Sequence, residues 1–134
     1  MGNRAVITIA PFNSSNVGIY VHWNGGRASI EGFLKACRDL QYRDPSLDDS
    51  YAMARLTQVI GTYFGGSTSL GIGIVSKLDA DNGDNGTYVI GEGWEIVERR
   101  HVSVHAEEEI DPAKTDAIAA TIVERITAAA KVDA

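Results

Sequence analysis

The sequence predicts an α+β domain built on a mainly antiparallel sheet. Three observations carry that expectation. Short β-branched runs stand near the start and in the second half, two amphipathic helical stretches follow one another between them, and the resulting order β-β-α-α-β-β-β-α lacks the strict strand–helix alternation of parallel sheets. The length of 134 residues is that of a single domain covering 1–134.

In chain order, residues 3–9 (NRAVITI) and 17–23 (VGIYVHW) have the β-branched content of strands, and the loop between them, with Pro11 and an Asn/Ser cluster, suits a hairpin. In SIEGFLKACRDLQY, Ile30, Phe33, Leu34, Cys37 and Leu40 recur at helical spacing, with Ser29 as the expected N-cap. Pro45 ends that helix. The next starts at SLDDS and carries Met53, Leu56, Val59, Ile60, Tyr63 and Phe64 on its apolar stripe until Gly65-Gly66 terminates it. STSLGIGIV reads as a strand with small residues on one face, and DADNGDNG, residues 79–86, as a hairpin loop leading to TYVI. The stretch 93–106 continues with Trp94, Ile96, Val102 and Val104 as strand positions and a bulge or bend near Arg99-Arg100. Asp111-Pro112 opens a C-terminal helix over about 112–131, striped by Ile118, Ile122, Ile126 and Ala129, which suits its own domain or an oligomer contact equally.

Hydrophobic residues at 44% and charged residues at 22% describe a globular chain rather than a disordered one. No apolar run reaches the ~20 residues of a membrane span and the first ten residues lack a signal-peptide pattern, so the expected location is the cytoplasm, with no membrane partner. The single Cys37, on an apolar helical face, is expected to be a buried thiol. A net charge of −6 argues against nonspecific nucleic-acid binding, which needs a basic surface, but leaves room for a local basic pocket or an acidic docking face.

The candidate site is the junction Trp23-Asn24-Gly25-Gly26-Arg27. A strand, a glycine turn and the amides at a helix start can cradle an anion; Arg27 adds a fork of donors, and Trp23 offers a flat face to a base. A tight turn with a packed Trp accounts for the same residues, and the spacing matches neither a P-loop nor a dinucleotide fingerprint. Arg55 borders the stripe of the second helix, snorkelling or pointing into a pocket. Arg99-Arg100-His101 is a second basic cluster. The Asp/Asn loop fails the EF-hand pattern and reads as a polar or recognition loop, and Glu107-Glu108-Glu109 reads as a solvated run. His22, His101 and His105 lack metal-ligand spacing, and no nucleophile elbow is present, so neither an enzyme nor a metal site is expected.

The segments NRAVIT, GIYVHWNGG, ARLTQVIGTYFGG, LGI and LDADNGDNGTYVI…GWEIVER, over roughly residues 3–100, resemble a widespread group of small phage and prophage proteins. Within that group the chain resembles the Thoeris anti-defence proteins, cyclic ADP-ribose sponges that bind a host immune signal without cleaving it. The C-terminal helix lies outside the resemblance. The resemblance implies homo-oligomers with pockets between protomers, a cyclic nucleotide ligand and no cofactor. It further implies an aromatic ring on the adenine, falling on Trp23 or Phe64, and arginines on the pyrophosphate, falling on Arg27 or Arg55 with Arg99 or Arg100 in support. Asp84 and Asn85 would read ribose or base edges, and Asn24, Gly25 and Gly26 would shape the turn. The alternative, motivated by small size and acidity, is a direct protein inhibitor of a defence effector, of the anti-CRISPR or nucleic-acid-mimic kind.

Overall fold

A computed structural model describes residues 2–133. The elements are β1 (Ala5–Ile9), β2 (Val17–Val21), α1 (Arg27–Asp39), α2 (Asp49–Phe64), β3 (Leu70–Ile74), β4 (Thr87–Gly91), β5 (Glu95–Arg100) and α3 (Pro112–Asp133). The chain is α+β, with three helices and one mixed, mostly antiparallel sheet in the spatial order β3-β2-β1-β4-β5. β1 and β4 run parallel, and the other neighbours run antiparallel.

Every residue of β1 and of β4 is buried, so this central pair needs cover on both faces. Ala5, Ile7, Ile9, Ile19, Val21, Tyr88 and Ile90 form the core with the apolar sides of α1 and α2. On the opposite face, the side chains of Val75, Leu78 and Val6 converge above Gly18, and Thr87 Oγ1 donates to the Ala80 carbonyl at 3.1 Å.

This arrangement corrects the hairpin expected at residues 79–86. That loop carries the chain from edge strand β3 across β2 and β1 to β4. Asn-Gly pairs supply tight turns, but burial chooses the pairing partners: the wholly buried TYVI segment belongs beside β1, and the half-exposed β3 belongs at an edge. Within the crossing, buried Asn82 replaces a strand partner. Its Nδ2 donates to the carbonyls of Asp79 (3.0 Å) and Gly86 (3.1 Å), and its Oδ1 accepts from the amides of Asp84 (3.1 Å) and Gly86 (3.0 Å).

The irregularity expected near Arg99-Arg100 is a bulge at Val97, where Val89 pairs with Glu98 and Ile90 with Ile96, followed by a bend at His101. Val102 and Val104 are exposed and outside any strand. β4 starts at Thr87, opposite Arg100, so β5 has no further partner there, and the chain turns away at His101 (φ 56°).

Helix α1 starts two residues before the expected cap, with extended Gly26 at the N-cap; Ser29 is instead buried and bonded to Asn24 Nδ2 at 3.3 Å. Asp48 caps α2, its carboxylate accepting from the Tyr51 amide at 3.0 Å, and Gly65 ends the helix at φ 63°. Asp111 caps α3 through the Lys114 amide at 3.2 Å. The buried side of α3, Ile118, Ala119 and Ile122, joins the core of this same chain, while Ala129 is exposed. Thr115 Oγ1 donates to the Ala28 carbonyl of α1 at 2.8 Å, and the Ile118 side chain fills the space a Cβ on Gly32 would take. Among the described residues no helix is long and apolar enough to cross a membrane.

The glycines of α1 and α2 therefore respond oppositely to alanine. A Cβ at Gly32 would sit 2.8 Å from Ile118 Cγ2, whereas one at Gly61 meets only Leu70 Cδ2 at 3.8 Å. Overpacking of about 1–3 kcal/mol exceeds the helix-propensity gain of about 1 kcal/mol, so Gly32→Ala is expected to lower the urea midpoint. Gly61→Ala is expected to raise it, and equal shifts in one direction would contradict this packing.

Candidate functional site

The strand-to-helix junction is held from below by the chain's first residues. The Gly25 amide donates to the Asn3 carbonyl at 2.8 Å, and a Cβ there would collide with the backbone of residues 3 and 4, so glycine is required by the close approach. Asn24 adopts the left-handed conformation at φ 61°. The buried Tyr88 hydroxyl donates to the Gly25 carbonyl at 2.8 Å, and burial pushes that phenol's pKa well up. Trp23 projects from the turn 48% exposed, edge-on to His22 with ring centres 5.2 Å apart. It is thus neither a core residue nor enclosed.

The first turn of α1 contains no acidic residue of its own. A distant segment supplies the anion a helix N-terminus favours. The Arg27 amide donates to the Glu107 carbonyl at 2.9 Å, and the Glu107 carboxylate lies against Gly26 where any Cβ would stand. Glu108 lies between two arginines, forming an ion pair with Arg99 Nη1 and standing 3.7 Å from Arg27 Nη1. Arg27 Nε also lies 3.9 Å from Glu31. Arg99, its side chain 13% exposed, stacks its guanidinium 3.8 Å above the centre of the Tyr88 ring and donates from Nη2 to the Asn85 carbonyl at 2.9 Å. The Nε atoms of both arginines are buried without a hydrogen-bond partner among the described residues.

Asn85 is wholly buried and joins three segments. Its Oδ1 accepts from the Glu107 amide at 3.1 Å, and its Nδ2 donates to the Arg4 carbonyl at 3.1 Å and to Asn3 Oδ1. Asp84 accepts from Arg4 Nε at 2.7 Å and from the Arg4 amide at 3.1 Å, and the guanidinium holds its carboxyl below the usual range. The Asn85 amide and one carboxylate oxygen of Asp84 are thus engaged within the fold.

The structure brings Gly25, Gly26, Arg27, Asn85 and Arg99 into one cluster, with Trp23 and Asn24 on its turn and Asp84 beside it. Arg55 stands elsewhere, 5.2 Å from the centre of the Tyr51 ring that Arg43 also overlies. Phe64 packs edge-on to Phe33 at 6.3 Å at the end of α2. Arg100 stacks on Phe12 at 3.8 Å. Sequence reasoning missed Glu107, Glu108 and Tyr88; the available signal was an acidic run a few residues after a basic one. Two recesses flank the cluster, one of about 370 Å³ lined by Glu107, Glu108, Glu109, Asp111 and Lys114, the other of about 410 Å³ lined by Asn3, Asp84, His105 and Glu107. Cys37 is buried, and burial pushes its thiol up and away from reactivity.

No protein-family model, curated protein or solved structure matches the chain.

A carboxyl held lower in the folded than in the unfolded chain binds fewer protons when folded. Its contribution to stability is present above about pH 4 and is lost as pH falls through the folded value. Asp84, lowered mainly by the Arg4 side-chain hydrogen bond, is such a group. Denaturant midpoints measured from pH 6 downward are expected to fall less steeply for Asp84→Asn than for the unmodified chain. Identical slopes would remove Asp84 from the acid-sensitive set.

Proposed function

We propose that this protein is a non-enzymatic anti-defence protein of phage or prophage that binds and sequesters a phosphorylated cyclic nucleotide signal in the host cytoplasm. The observation that carries the reading is the convergence of Arg27 and Arg99 on a single carboxylate, Glu108, beside a glycine turn bearing a half-exposed tryptophan. Two guanidiniums on one oxyanion suit a phosphate as well as a carboxylate. The exposed indole of Trp23, four residues before Arg27 on the same turn, suits a base. The resemblance of residues 3–100 to the cyclic ADP-ribose sponges supports the same ligand class. In this reading Glu108 is an internal competitor that a ligand phosphate displaces, and Arg55 and Phe64 stand outside the cluster.

Calorimetry with cyclic ADP-ribose isomers and cyclic oligonucleotides tests it. One of them is expected to bind, to be recovered intact after heating, and to lose about 10- to 100-fold in affinity with Arg27→Ala or Arg99→Ala, the scale of a charged hydrogen bond of about 1.5–3 kcal/mol. Trp23→Ala is expected to cost a similar factor, and Glu108→Gln to raise affinity several-fold. A cleaved product, or a loss confined to Arg55→Ala, would overturn the reading.

The acidic recess formed by Glu107, Glu108, Glu109 and Asp111 favours a second reading, direct docking to the basic face of a nucleic-acid-handling effector. Tight binding to such an effector without nucleotide affinity would make it the better one.

A further inference from the structure

The two edges of the sheet differ in kind. β5 carries Glu95, Glu98, Arg99 and Arg100 and is interrupted by the bulge at Val97, devices that discourage further strand pairing. β3 has none of them: LGIGI is uncharged, lacks proline and pairs with β2 in unbroken register.

The backbone of β3 has a free outer side. The Val75 amide donates to the Asn16 carbonyl at 2.8 Å, and the His22 amide donates to the Ser69 carbonyl at 3.0 Å. In an antiparallel ladder bonded residues alternate, so residues 69, 71, 73 and 75 turn their groups toward β2. Leu70, Ile72 and Ile74 therefore direct their N–H and C=O groups outward, where no described strand meets them. Beside that row of groups lies an apolar patch: Ile72 is 58%, Val17 49% and Ile74 45% exposed.

Charge decides what covers it. Residues 50–76, from the second residue of α2 through β3, contain one charged side chain, Arg55, in a chain with 12 basic and 18 acidic residues, and the nearest acid to the patch is Asp49, which shares a recess with Val17. Arg55 is engaged with Tyr51. Two copies of a chain with net charge −6 repel across most pairings of their surfaces, and β3 lets two strands pair with no charged side chain on either. A nucleic acid would find no cations here.

We propose that β3 is the interface of a symmetric dimer. The second copy adds its β3 antiparallel, Ile72 opposite Ile72 and Leu70 opposite Ile74, so that each facing pair exchanges both hydrogen bonds and the two sheets become one. Such a contact is isologous, and it removes the exposed edge from both copies.

Sedimentation of the purified chain, without ligand, is expected to show twice the monomer mass at micromolar concentration. Ile72→Lys, which places like charges on the two-fold axis, is expected to weaken dimerisation at least 100-fold while leaving the far-UV spectrum and thermal midpoint of a folded protein. Opposed residues of a hydrogen-bonded pair lie about 5.5 Å apart at Cα, within disulfide reach. Ile72→Cys is therefore expected to crosslink on mild copper oxidation, and Val97→Cys, on the other edge, is not; Cys37 is buried in both. A monomer at several hundred micromolar overturns the proposal, as does a dimer that survives Ile72→Lys or that crosslinks through Val97→Cys instead.

Discussion

The parallel pairing of β1 with β4 is the constraint on which the rest of the molecule depends. Both strands are buried throughout, and parallel neighbours cannot be joined by a tight turn. The chain leaving edge strand β3 must travel over the second face of the sheet to reach β4. That passage, residues 75–86, lays Val75 and Leu78 on the sheet as cover and meets its own polar needs through Asn82. It ends at Asn85, in contact with the start of β1 and with the segment that follows β5.

The electrostatics of the junction follow from that anchoring. With Glu107 bonded to Asn85, the acidic run is drawn onto a helix start that has no acid of its own. Glu108 then pairs with both Arg27 and Arg99, and Arg99 rests on Tyr88, whose hydroxyl supports the glycine turn. One network thus connects turn, crossing, β5 and the acidic segment. Paired guanidiniums remain costly to bury without an anion between them, which explains why the chain provides its own.

A sheet of five strands has two edges, and this chain treats them differently. On β5 the charges and the bulge at Val97 accompany Arg99, which holds the junction, and they discourage further pairing on that edge. On β3 the alternation of glycine with Leu70, Ile72 and Ile74 leaves one face flat and uncharged. One edge carries charges of both signs and the other carries none, a difference that the net charge of −6 conceals.

Local periodicity in the sequence determined the α+β class, the element order, the termination of α2 at Gly65, the capping of α3 by Asp111-Pro112 and the burial of Cys37, because each depends on residues within a few positions of one another. The glycine turn between a strand and a helix was legible for the same reason. Tertiary structure alone decided strand order: 79–86 has the chemistry of a hairpin, yet the apolar content of β4 made it the neighbour of β1. It also separated Arg55 and Phe64 from Arg27 and placed Glu107 and Glu108 at the junction. Those placements join residues as far apart as Arg4, Asn85 and Glu107, and no pattern within one segment carries the free energy of burying groups that meet only after the sheet has closed.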